Sequence, residues 1–441
     1  MEWLHPAMTE TMKRETAGPR RANPPKRHWH IPPPLIHGPD PLEGGLVLQE
    51  FSGETGVVLW QALRDVMLWA QTPHSSRGEI FADTARERRI AAILAAGPEP
   101  ELEVQLRALT DLTSTPSTIR AELITVTCRA ISQWAEAQGK LGTAMAFGQN
   151  AALASPGDAV AALNVGRLAR KVTDYARAEI WFRRAIGLAR QARDWRTYTV
   201  AFIGLGNMAV RRGNYPAGRR FRIRALRSAR RGGLRRLQAV VLHDLFALEV
   251  ECGNTAAAET YARRAFQHYR GRGDRLPALA NDLANLWLTN GSFERARRVL
   301  TPLARLPLPE EDRLFVLASL ARAAGGSGDT EQFDRAASDV SVLVGTGAHR
   351  AREARALLDV AFGAAALSRW DVAQDLATSA WSIASERRES KTEFLADSLL
   401  DSVNRKRSLL VTTGESVESA ANSDSLADEV ATSLLTETAA A

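Results

Sequence analysis

The sequence predicts an all-α solenoid, and three observations carry that prediction. A skeleton of small residues recurs seven times between Ser132 and Ala380. Each copy has a small residue, a turn residue seven later, a small residue five after that and an apolar residue seven further on. The third copy reads Gly206, Gly213, Gly218, Ala225, and the fourth reads Phe246, Gly253, Ala258, Ala265. The turn column runs Gly139, Thr173, Gly213, Gly253, Gly291, Gly328, Ser368, with a first interval of 34 and the rest between 37 and 40. A fixed period of this length marks stacked supersecondary units that bury their apolar faces only against one another. The second observation is that apolar residues recur at helical spacing from Glu54 onward. The third is that Gly at the turns is followed by Asn or Asp, as at Gly213, Gly253 and Gly328, which fits a helix end needing a left-handed residue.

Taken in order, residues 1–50 are expected to form a disordered, Pro- and Arg-rich arm. Proline blocks helix interiors and lacks a sheet donor, and few apolar residues offset the ordering entropy. Arg20, Arg21, Lys26, Arg27 and Trp29 give the arm a basic, aromatic cluster. Residues 54–115 read as a helical N-terminal cap, with Val57, Val58, Leu59, Leu63, Val66, Met67 and Ala70 on the first helix. Two more helices follow, over about 79–96, ending at Gly97-Pro98, and about 100–112. The array spans 117–388 as seven helix pairs. Residues 389–410, with Phe394, Leu395, Leu399 and Val403, read as a capping helix. Residues 411–441 are Ser, Ala, Thr and Glu, and are expected to be a disordered acidic tail with at most a weak helix near 426–435.

Gly166, Asp174, Tyr175, Ala178, Phe182 and Ala185, and again Gly206, Gly213, Asn214, Tyr215 and Ala225, resemble the tetratricopeptide repeat over about residues 120–388. The small-residue slot on the second helix is instead Gly218 and Phe333 in two copies, and the opening slot is Phe246 in one. The resemblance implies a right-handed superhelix with the first helix of each pair, helix A, lining a concave groove. It places Arg129, Gln133 and Glu136, then Arg167 and Arg170, then Asn207, His243, Asn281 and Asn285, and Arg322 on that groove. Asn amides and Arg forks suit a peptide backbone or its carboxylates. The family's clamp for a chaperone tail is not matched, since Ile203 and Asp244 stand where it needs polar or basic residues.

Charge is segregated along the chain. Between Asp194 and Asp244 there are twelve arginines and no acid, while Glu415, Glu418, Asp424, Asp428, Glu429 and Glu437 follow Arg407 without a cation. Arg219, Arg220, Arg222, Arg224, Arg227, Arg230 and Arg231 are expected as a basic surface patch on helix B of the third pair. Such a face would take nucleic acid, anionic lipid or an acidic protein, and an arginine-for-lysine bias of a GC-rich genome accounts for it equally. The acidic tail is expected to screen this wall weakly, within one molecule only if the solenoid curls back.

No phosphate-binding loop, dinucleotide fingerprint, metalloprotease helix or nucleophile elbow occurs, and no cofactor or metal is expected. The run 325–328 reads as a turn within a repeat. Cys128 and Cys252 are expected as buried free thiols. No apolar run reaches the roughly 18–20 residues of a membrane span, and the start does not resemble a secretory signal, so a cytoplasmic chain is expected. The expected function is a non-catalytic scaffold that binds a protein or peptide in its groove. The alternatives are a regulatory sensor acting through a partner in transcription or signalling, and nucleic-acid binding through the Arg-rich wall.

Overall fold

The computed structural model describes residues 41–81, 84–114, 121–271, 275–345, 350–406 and 417–440. Every regular element among them is helical. Four α-helices of the described residues precede the array, α1 (Pro41–Glu50), α2 (Gly53–Gln71), α3 (Ala85–Ala96) and α4 (Pro100–Ser114), with a short 3-10 helix (His74–Glu79) between α2 and α3. Seven antiparallel hairpins follow. Their A helices are α5 (Ala121–Ala137), α7 (Ala159–Lys171), α9 (Trp195–Arg211), α11 (Arg235–Glu251), α13 (Leu276–Thr289), α15 (Glu310–Ser327) and α17 (Arg350–Ala366). Their B helices are α6 (Leu141–Ala154), α8 (Tyr175–Ala192), α10 (Tyr215–Arg231), α12 (Thr255–Tyr269), α14 (Phe293–Leu303), α16 (Thr330–Gly345) and α18 (Trp370–Glu386). Two helices close the chain, α19 (Ser390–Asn404) and α20 (Val417–Ala440).

One backbone device makes all seven A-to-B turns. Gly139, Thr173, Gly213, Gly253, Gly291, Gly328 and Ser368 all have positive φ, between 59° and 80°. The amide of the next residue then reaches back to a carbonyl five residues earlier, as in Asp174 to Ala169 at 2.9 Å and Asn214 to Ala209 at 2.8 Å. This closure satisfies carbonyls that a helix end leaves without intrahelical donors. The same residue starts the following helix. Asp174 accepts from the Arg177 amide, Asn214 from Ala217 and Asp329 from Gln332, each at 3.0–3.1 Å. The recurring Asn or Asp after the turn therefore does two jobs, closing one helix and capping the next. Some B-to-A turns use the same geometry, at Arg193, Gly233 and Arg388.

The small-residue columns are where backbones meet. Ala144, Ala178, Ala258, Ala296 and Ala373 are fully buried. The aromatic of the second hairpin, Phe182, lies against two glycines: a Cβ at Gly166 would stand 2.9 Å from its ring and one at Gly204 2.5 Å. Departures from the skeleton are matched by compensation nearby. Phe333 fills the small slot of the sixth hairpin because α17 offers Gly363, whose Cβ would come within 2.9 Å of the Phe333 ring. Gly325 approaches Gly363 so closely that a Cβ on it would lie 2.3 Å from the Gly363 carbonyl oxygen. Residues 325–327 are thus the last turn of α15, with Gly325 against α17 and Gly326 against Phe293 on α14, and only Gly328 belongs to the turn.

Three expectations are corrected. The arm was expected to run to residue 50, but residues 41–50 form α1, with Val47 buried and Glu50 accepting from the amides of Gly142 and Thr143 at 2.8 and 2.7 Å. A carboxylate there caps the positive N-terminus of α6. The two glycines of α1 lower its intrinsic helix propensity, and this long-range anchoring offsets that. The tail was expected to be disordered, yet 417–440 is one helix docked on α12, α13 and α14. The third correction is that Cys252 is exposed, while Cys128 is buried with its thiol pushed far above the ordinary range by that burial. The basic cluster at Arg20–Trp29 and residues 411–416 lie outside the described residues.

Candidate partner-binding face

The A helices carry polar side chains along the stack, and at three levels these pair with the neighbouring A helix. Arg167 on α7 meets the Glu136 carboxylate on α5 through both terminal nitrogens, and Lys171 adds a second cation. Burial raises the Glu136 carboxyl, but these donors outweigh it and hold it below its usual range. His243 on α11 donates from Nε2 to Asp282 on α13 at 2.9 Å. Arg322 on α15 donates to Asp359 on α17, also at 2.9 Å, and Arg355 reaches the other Asp359 oxygen at 3.0 Å. These three bonds span 31, 39 and 37 residues, close to one repeat. They form a ladder that fixes consecutive hairpins, since removing one partner would leave a poorly solvated charge.

The expected groove residues therefore divide. Arg167, His243 and Arg322 are held in the ladder. Asn207 and Asn281 are buried: Asn207 accepts from Arg222 at 3.3 Å, and the Asn281 carboxamide oxygen makes no hydrogen bond. Asn285 is half-buried and turns its amide back to the Asn281 carbonyl at 2.9 Å. Gln133 is exposed, and Arg129 and Arg170 are half-buried.

Arg170 differs from the rest. Its pKa is lowered first by desolvation and then by the like charges of Arg211 and Arg167, with only Tyr175 acting the other way. Among the described residues no carboxylate pairs with it. It is a partly dehydrated cation among cations on the A-helix side, and an incoming anion would relieve that.

The basic patch is smaller than the sequence suggests. Arg222 is not on the surface: it is 6% exposed, its stem lies 3.2 Å from where a Cβ on Gly206 would be, and its Nε and Nη1 are without hydrogen bonds. Its neighbour across the interface is Asp244, whose carboxyl burial pushes upward against the opposing pull of Arg222, His243 and Arg275. Arg219 pairs with Glu249 on α11. Arg224 lies over the Phe202 ring at 5.9 Å and Arg231 over Trp195 at 4.5 Å. Arg220, Arg227 and Arg230 are exposed, and so are Arg224 and Arg231.

Sequence reasoning missed the acidic halves of the ladder, Asp282 and Asp359, and the cation Arg211 beside Arg170. Asp282 and Asp359 were findable, since each lies about one repeat after its basic partner.

The sequence matches no protein family and no curated protein. Solved structures align with low identity. A Rap protein complexed with Competence and Sporulation Factor is 12% identical, with a TM-score of 0.40, over 80% of this chain and 98% of that one. Aspartyl phosphate phosphatase F from Bacillus subtilis is 11% identical, with a TM-score of 0.42, over 83% and 97%. The TPR2AB domain of yeast Sti1, in a pHSP90 complex, is 14% identical, with a TM-score of 0.27, over 64% and 98%. The turn geometry, the buried small-residue columns and the hairpin order define this chain as an all-α solenoid of tetratricopeptide-like repeats. No helix among the described residues is long and apolar enough to cross a membrane.

Proposed function

We propose that the chain is a non-catalytic, cytoplasmic scaffold whose A-helix face holds an extended, acidic segment of a protein or peptide. The observation that carries this reading is Arg170, half-buried beside Arg167 and Arg211 with no carboxylate paired to it among the described residues. A carboxylate from a partner would form a charge-assisted bond there in partly dehydrated surroundings, where such bonds are stronger. Gln133 and Arg129 on α5 extend the same face and offer further donors. The ladder supports the reading indirectly: it makes the face rigid, so little ordering entropy is spent when a partner binds.

The test is capture of partners from source lysate by the full chain and by its Arg170→Glu variant, with and without nuclease and at two salt concentrations. Protein partners that resist nuclease and are lost with Arg170→Glu support the scaffold. Capture abolished by nuclease would instead assign binding to nucleic acid. On α10, Arg222 is buried and Arg219 is paired, so the nuclease arm tests the exposed Arg220, Arg224, Arg227, Arg230 and Arg231.

A further inference from the structure

The position of α20 is not that of an end cap. α19 already packs on α17 and α18 and covers the last hairpin. α20 lies instead on α12, α13 and α14, in the fourth and fifth hairpins, so the chain returns past the sixth and seventh to reach it. The helix is amphipathic: Leu426, Ala427, Val430 and Leu434 are buried, while Ala421, Ser425, Asp428 and Glu429 remain exposed.

The wall it covers is basic and complementary. Arg263 on α12 pairs with Glu429 at 2.8 Å, and Arg298 on α14 pairs with Asp428 at 2.7 Å and also with Asp424. Arg295 on α14, 7% exposed, donates to Asp424 at 3.2 Å and to the Ala420 carbonyl at 3.4 Å. Ser423 donates to Glu259, whose other oxygen accepts from the Trp287 indole at 2.7 Å. Three cations thus face three carboxylates along one helix, beside a narrow apolar stripe.

An interface of this composition suits release. Its apolar part is four residues of modest size, and its charged part can be rehydrated when the helix leaves, so neither surface is left with an uncompensated buried ion. We propose that the α12–α14 wall is a binding site for an acidic amphipathic helix, which α20 fills in cis as an exchangeable plug. A helical partner with carboxylates at the spacing of Asp424, Asp428 and Glu429 and apolar residues at that of Leu426, Val430 and Leu434 displaces it. The inference does not depend on Arg170, which stands on α7, because the ion pairs of α20 are with the B helices α12 and α14.

The test uses the full chain carrying Leu426→Asp and Val430→Asp, which frees α20, and a fluorescein-labelled synthetic peptide of residues 417–441 as the probe. Anisotropy titration should show saturable binding to the freed variant and binding at least tenfold weaker to the wild type. Adding Arg295→Ala and Arg298→Ala to the freed variant should abolish binding. Raising salt from about 0.1 to 1 M, where the Debye length falls from ~10 to ~3 Å, should weaken it. A freed variant that keeps its far-UV helical signal yet binds no peptide overturns the proposal, as does equal binding to wild type. Should the freed variant lose its fold, Asp424→Asn with Asp428→Asn replaces it, read by hydrogen exchange. Faster exchange confined to 417–440 supports the plug; unchanged exchange there, or acceleration throughout, contradicts it.

Discussion

The ring of Phe182 occupies the space that any side chain at Gly204 would need, 2.5 Å from the Cβ position. Two effects oppose each other in Gly204→Ala. Alanine favours a helix interior by about 1 kcal/mol over glycine, but Phe182 is almost fully buried and its ring would have to shift to admit the methyl. Overpacking of such a core costs typically 1–3 kcal/mol. We expect net destabilisation of up to about 2 kcal/mol by urea denaturation. A stabilised variant would show that Phe182 does not wedge between α7 and α9.

Thr173 and Ser368 hold the left-handed conformation that glycine holds at the other five A-to-B turns. A β-branched residue there is strained, at roughly 1–2 kcal/mol for a left-handed L-residue. Thr173→Gly should therefore raise stability, by up to about 1 kcal/mol once the greater unfolded-state entropy of glycine is counted. Thermal unfolding of the single variants checks this, and a lowered Tm for both would contradict the turn geometry.

The ladder and Arg170 separate by mutation. Asp359 is 3% exposed, and removing Arg322 leaves it with Arg355 alone. Arg322→Ala should cost roughly 1.5–3 kcal/mol, the range for charged hydrogen bonds and at or below that for breaking a fully buried pair. Arg170→Ala removes a cation from among cations, so its Tm should be unchanged or higher. If Arg170→Ala destabilises as much as Arg322→Ala, Arg170 is a structural residue.

The thiols should differ in reactivity. Burial holds the Cys128 thiol protonated, whereas Cys252 is exposed. A thiol reagent at neutral pH should modify one cysteine of the native chain rapidly and the second only on unfolding. Rapid modification of both would mean that α5 opens on the same timescale.

Much of this fold was legible because one constraint recurs. A turn that needs positive φ selects Gly, the next residue must cap a helix and so is often Asn or Asp, and close backbones select Ala. The seven hairpins follow from those choices. α1 and α20 were not legible, since each depends on contacts far away in sequence. Glu50 caps α6 some 92 residues on, and Asp424 meets Arg295 across 129. The complementary charge of the tail was visible, but its target was misplaced. The arginines of α10 are partly used by Glu249 and by the buried site of Arg222, while those of α12 and α14 face α20. On the A-helix face, side-chain type and position gave the row of polar residues. Which of them are free depended on acids one repeat away.

The central claim is that the A-helix face binds a partner through Arg170. The most direct measurement is the affinity of the full chain for an acidic peptide selected on it from a random library, compared with that of Arg170→Glu. The peptide should bind wild type saturably and bind Arg170→Glu at least tenfold more weakly, with circular dichroism and Tm unchanged. Equal affinity for both proteins would contradict the account.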